Sequence, residues 1–176
     1  MLTAEALLRF TQTYNARLFN NAKGVSVRFA TCRLRTDKDG DEYREVKVVC
    51  VGKTVPRQVE LHLYGPRNKN ARVWATCTCP YWLYHCEVAT ERKDSTDIIH
   101  SNGARPIVKN PRMIPAVCKH IIQALASGAC TLAPKEDEKS KRRSKAEPMV
   151  RQRGANKKDI PGLKPFVRRP KRMSDK

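Results

Sequence analysis

The order of apolar and polar positions divides the chain into stretches with different periods. In residues 3–20, Ala4, Leu7, Leu8, Thr11, Tyr14 and Leu18 recur at spacings of three and four, which predicts an amphipathic helix with one buried face. Asn20, Asn21 and Gly24 follow as a stop signal. From Val25 the period becomes two. VSVRFATCRLR sets Val25, Val27, Phe29, Thr31 and Arg33 on one side of a strand. The polar run TDKDGDE turns the chain into YREVKVVCV, GKTVP interrupts, RQVELHLYG alternates again, and GPRNKN leads into RVWATCTC. Four strands joined by short turns predict an antiparallel meander.

Beyond Cys79 the pattern turns helical. Pro80 suits a first helical position, followed by YWLYHCEVATERK. STDIIHSNGARPIVKNPRM is an irregular excursion with turn residues and room for a short strand. IPAVCKHIIQALASG predicts a last helix, with Pro115 near its start, Gly128 near its end, and Val117, Ile121, Ala124 and Leu125 as its apolar face. The expected fold class is α+β: an N-terminal helix, a meander of about four strands, and two later helices.

Composition divides the chain at Pro134. Residues 134–176 hold 16 Lys or Arg against 6 Asp or Glu, with five prolines and few aliphatics; residues 1–133 hold 20 against 11. We therefore expect a folded domain over 1–133 and a basic, extended arm over 134–176 that orders only against a partner. The net charge of +19 attracts polyanions, with nucleic acid the commonest and an acidic protein surface or anionic lipid as alternatives. Within the arm, Lys141, Arg142, Arg143, Lys145, Arg151, Arg153, Arg168, Arg169, Lys171 and Arg172 are the expected contacts to phosphates or to a protein partner. Phe166 is its only aromatic, which argues against base-specific readout there. LKPFVRRP offers Leu163, Phe166 and Val167 as apolar anchors on a neighbouring subunit.

No run approaches the roughly 20 apolar residues of a membrane span, and the N-terminus lacks a basic region followed by a small-residue cleavage site. We expect a protein kept in a cytoplasm-like compartment, without a membrane partner. The seven cysteines are odd in number and unevenly spread. In a reducing compartment such clusters bind metal more often than they form disulfides.

The chemistry concentrates in two short pairs, Cys77-Thr78-Cys79 and Cys118-Lys119-His120. Zinc takes four tetrahedral ligands and favours thiolate and imidazole. A C-x-C pair at a strand end can aim both sulfurs at one ion if the chain turns between them, and a C-x-H pair can converge in the first turn of a helix. One structural Zn²⁺ would then clamp the last strand to the last helix, making binding energy folding energy. The opposing view is four ordinary packing residues. His85 and Cys86 are rival ligands if the helix after Pro80 turns back, although Cys86 fits a packed thiol. Cys32, Cys50 and Cys130 stand alone as core or surface thiols, and His62 and His100 as strand or surface residues. Tyr81, Trp82 and Tyr84 beside Arg92 and Lys93 suit either a stacking surface or packing over the metal site. We expect packing.

CTC…CKH resembles the SWIM zinc finger, whose pattern is C-x-C, a variable gap, then C-x-H. The resemblance covers about residues 73–126 and implies a β-hairpin carrying the first pair and a helix carrying the second. The gap of 38 residues between Cys79 and Cys118 is long for that family, so the excursion from Tyr81 to Ala116 is expected to be an insertion with its own role. The words CTCPYWLYHCEVA, HSNGARP and NPRMIPAVCKHI also resemble small zinc-finger proteins of tailed bacteriophages, some of them virion components.

These resemblances imply a structural or assembly protein of a phage particle, at the capsid, neck or tail. It would reside in the virion and host cytoplasm, with other virion proteins as partners and DNA as a possible one. The alternative is a free nucleic-acid-binding SWIM protein acting in DNA transactions. An enzyme is not expected. Four protein ligands leave no open zinc position, and the sequence shows neither a Gly-rich phosphate loop nor a paired-carboxylate site. No small-molecule substrate is expected either.

Overall fold

The computed structural model describes residues 1–52 and 55–135. The basic residues expected to make contacts in the arm, Lys141 to Arg172, lie outside them. Helix α1 (Ala4–Tyr14) is capped by Thr3, whose hydroxyl accepts from the Ala6 amide. Ala4, Leu7 and Thr11 form its buried face. The single helix expected over 3–20 is instead two. Asn15 leaves helical geometry (φ −156°, ψ 86°), and α2 (Arg17–Ala22) starts afresh. The break lets Leu18 and Ala22 enter the core where α2 packs on the last helix.

Strands β1 (Ser26–Thr36), β2 (Glu42–Val51), β3 (Arg57–Tyr64) and β4 (Arg72–Cys77) form one sheet in the order β1-β2-β3-β4, with every neighbouring pair antiparallel. This is the expected meander. Its inner face carries Val46, Val48 and Cys50, then Val59, Leu61 and Leu63, then Val73, Ala75 and Cys77, all buried. Burying side chains of this size stabilises by about 1.5–3 kcal/mol each before entropy is counted. The outer edge of β4 is covered: the Val73 amide donates to Leu2 O and the Ala75 amide to Ser95 O.

β1 corrects a second expectation. Its pairing shifts between Phe29 and Thr31, where Val48 faces Phe29 and Lys47 faces Thr31. Ala30 is the extra residue of a β-bulge. Strict alternation would carry Thr31 and Arg33 inward with Val27 and Phe29; after the bulge it is Cys32 that lies buried opposite Val46.

The helix after Pro80 is not regular. It opens with a π-helical turn (Trp82–Cys86) in which the Glu87 amide donates to Trp82 O, and α3 (Glu87–Glu91) completes it. Residues 95–113 contain no strand. The last helix, α4 (Lys119–Ala126), starts four residues after Pro115, because Cys118 is extended (φ −75°, ψ 164°) and serves as its N-cap. Gly128, at φ +100°, ends it in the left-handed conformation. Beyond a 3-10 turn (Ala129–Thr131), the buried Arg44 guanidinium donates to the carbonyls of Cys130 and Leu132, and the Lys135 amide to Cys32 O. None of the helices among the described residues is long and apolar enough to cross a membrane.

Candidate metal centre

Inward alternation on β4 places Cys77 on the core side at the strand's last residue. In a continuing strand the next inward side chain would stand about 6–7 Å further on, too far to share an ion. The strand stops instead. Thr78 is held to β3 by its amide donating to Gln58 O and its hydroxyl accepting from the Gln58 amide, and the chain then turns into Pro80. The turn swings Cys79 back beside Cys77. From the other side, the segment 114–118, extended at Cys118, brings in that thiol, and the first turn of α4 brings in His120.

One ligand atom from each of Cys77, Cys79, Cys118 and His120 lies within 4.8 Å of all the others. His120 Nδ1 stands 3.8 Å from Cys77 Sγ and 3.9 Å from Cys118 Sγ. A zinc tetrahedron with sulfur at 2.3 Å and nitrogen at 2.0–2.1 Å has sulfur–nitrogen edges of about 3.6 Å. The observed gaps are near that edge and long for direct hydrogen bonds. The donor set and its spacing therefore fit one tetrahedral metal ion. Exposure is 0% for Cys77 and Cys118, 2% for Cys79 and 7% for His120, so the ligands close over the site.

Without metal, three thiols share this volume unequally. Contacts with the Cys118 and Cys77 thiols, and with His120, hold the Cys79 sulfur far below the ordinary thiol range against the pull of burial. Contact with Cys118 pulls Cys77 down, but contact with Cys79, burial and the Cys79 charge together push it up. Desolvation raises Cys118. The pocket thus favours one thiolate and resists more, so a set of three thiolates forms only when a bound cation offsets most of their charge. The Trp82 amide donates to Cys79 Sγ at 3.4 Å, and the Cys50 thiol to His120 O at 3.6 Å, both orienting ligands from behind.

The rival ligands stay outside. Cys86 is 1% exposed and desolvation raises its thiol well above the usual range, as befits a packed thiol. His85 lies edge-on to Tyr81 at 4.8 Å. Cys32, Cys50 and Cys130 are core residues. The aromatics divide: Trp82 is fully buried behind the site, while Tyr84 is 66% exposed.

Two features carried no signal in the sequence. One is Glu87, fully buried, whose carboxylate accepts from the amides of Ile99, His100 and Ser101 and so anchors the excursion. Burial alone would raise its pKa; hydrogen bonds from the Ser101 side chain and these amides outweigh that and lower it. The other is a hollow beside the candidate metal centre, where Arg17, Arg57 and Lys119 gather with Tyr81 and where, among the described residues, no acidic side chain forms the lining.

Compared with known proteins, the chain matches no family profile, no curated protein and no solved structure.

Proposed function

We propose that the chain is a non-enzymatic assembly protein held together by one structural zinc ion, a SWIM-like finger serving a phage particle. One observation carries the zinc assignment: Cys77 and Cys79 from the end of the sheet converge with Cys118 and His120 from the start of α4. Zinc there supplies a cross-link between two elements that otherwise meet only through packing. With all four positions taken by buried protein ligands, no site is left for an activated water, which supports a structural over a catalytic ion.

The place in a virion rests on the sequence resemblance of CTCPYWLYHCEVA and NPRMIPAVCKHI, and on a +10 segment suited to lacing across neighbours. Mass spectrometry of purified particles tests it: the chain should occur at stoichiometric copy number, and its absence would defeat the assignment.

A second role, nucleic-acid binding, is favoured by the hollow of Arg17, Arg57 and Lys119 beside the metal centre. Three cations in a hollow that no carboxylate lines among the described residues suit phosphate oxygens. If this role holds, DNA affinity falls steeply with salt, with a slope that shrinks by about one for each cation removed. Binding insensitive to salt would rule it out.

A further inference from the structure

The outer face of the sheet, opposite the metal centre, carries a row of rings. His62 stacks on Trp74 at 4.3 Å with planes 16° apart. Tyr43 lies 4.5 Å from His62 and 5.2 Å from Tyr64. Cross-strand pairing produces the row, since His62 faces Trp74 and Tyr43 faces Tyr64. Such pairs stabilise sheets wherever they occur, but these four rings also form the wall of an open cleft of about 700 Å³.

The cleft's charge runs against the rest of the molecule. Asp37, Asp39, Glu91, Asp94 and Asp97 line it, opposed by Lys38 and the Met1 amine. Five of the eleven acidic residues in 1–133 thus gather at one hollow of a chain whose net charge is +19. Asp97 accepts from the Trp74 indole N–H at 3.2 Å, which fixes a carboxylate at the ring edge. Arg72 already stands over the Tyr64 ring at 5.6 Å from its centroid, an example of the contact this wall can make.

The same sheet face continues into a second hollow, one inward–outward repeat along the strands, whose lining includes Thr76, His100 and the ion pair of Lys47 with Glu60. The Thr76 hydroxyl there is buried and has no hydrogen-bond partner, on a residue only 8% exposed. An aromatic wall rimmed by carboxylates, followed by an unsatisfied buried hydroxyl, fits an extended ligand with a cationic head and a polar backbone.

We propose that this cleft is a receptor for the lysine or arginine side chains of a basic peptide. Ring faces attract the cation, the aspartates neutralise it, and the adjoining hollow takes the peptide's next polar group through Thr76. Charge complementarity selects this occupant over nucleic acid, which the five carboxylates repel. The basic segments of this chain, such as KSKRRSK at 139–145, have the required chemistry.

The test is zero-length carbodiimide coupling on the full-length, ¹⁵N-labelled protein with unlabelled KSKRRSK peptide, mapped by mass spectrometry. Asp94 and Asp97 should couple to lysines other than Lys38 in yields at least about threefold above exposed Glu5. An unlabelled lysine identifies a peptide in trans, and a labelled lysine within 139–145 identifies the protein's own basic segment; either supports the receptor, and coupling confined to other labelled lysines, such as the adjacent Lys93, overturns it. Trp74→Leu, confirmed folded by circular dichroism, should lower the yield about threefold, with Tyr43→Leu in its place if that variant misfolds; Trp74→Phe should keep it. Coupling at the cleft no higher than at Glu5, or unchanged when the ring is lost from a folded variant, would overturn the proposal. Zinc content plays no part in this result, so it stands or falls apart from the metal centre.

Discussion

At the scale of single residues, the metal centre divides the cysteines into two kinds. Cys77, Cys79 and Cys118 meet His120; Cys86 is buried nearby but does not belong to that cluster. Cys77→Ser, Cys118→Ser and His120→Ala should each lower zinc content well below one ion per chain, and Cys86→Ser should leave it unchanged, as read by elemental analysis of the purified variants.

Glu87 gives a second residue-scale prediction. Replacing it with Gln removes one charged acceptor facing three amides, at a cost of about 1–3 kcal/mol in urea unfolding. Its folded-state pKa is lowered, so its contribution is complete above the unfolded-state value of about 4.3 and is lost as pH falls through the folded-state value. The stability gap between wild type and Glu87→Gln should therefore be constant near neutrality and close in acid.

The ligand set was legible because four residues in two tight pairs match what zinc demands. Glu87 was not, because in CEVATERK it reads as one more solvent-facing charge; only the π-helical turn before it rotates it inward.

At the scale of elements, the sheet followed from alternation, while each departure arose where an interaction across the fold overrode a local period. The first helix breaks at Asn15, β1 bulges at Ala30, and α4 begins late because Cys118 must stay extended to present its sulfur. One hydroxyl ties two of these elements together. Thr11 on α1 donates to Leu7 O at 2.7 Å and accepts from the Val117 amide at 2.9 Å, holding the segment that delivers Cys118. Thr11→Val keeps the shape but strands a buried amide, so it should cost about 1–3 kcal/mol. Its mark should be weaker zinc retention in competition with a chelator, beyond the loss of global stability. Gly128→Ala, at φ +100°, should cost about 1–2 kcal/mol without changing zinc stoichiometry, since it lies at the far end of α4.

At the scale of the whole molecule, two stabilising systems act in series. The sheet has its own apolar inner face, centred on Val46, Val48, Leu61 and Leu63, and an ion held by Cys77, Cys79, Cys118 and His120 would join that sheet to segment 114–126. Chelation should thus act regionally. Hydrogen exchange after zinc removal should show amides of β1, β2 and β3 still protected and those of α4 opened, whereas uniform loss of protection would mean that the sheet has no stability of its own. Charge is also partitioned at this scale: an acidic cleft on one sheet face, and a cationic hollow beside the metal centre.

The most direct measurement is X-ray absorption at the zinc edge of the purified full-length protein, with metal content determined on the same sample. One zinc per chain, bound by three sulfurs at about 2.3 Å and one nitrogen at about 2.0–2.1 Å, is the predicted result. A protein purified without bound metal, or an ion surrounded by four sulfurs or by oxygen, would contradict it.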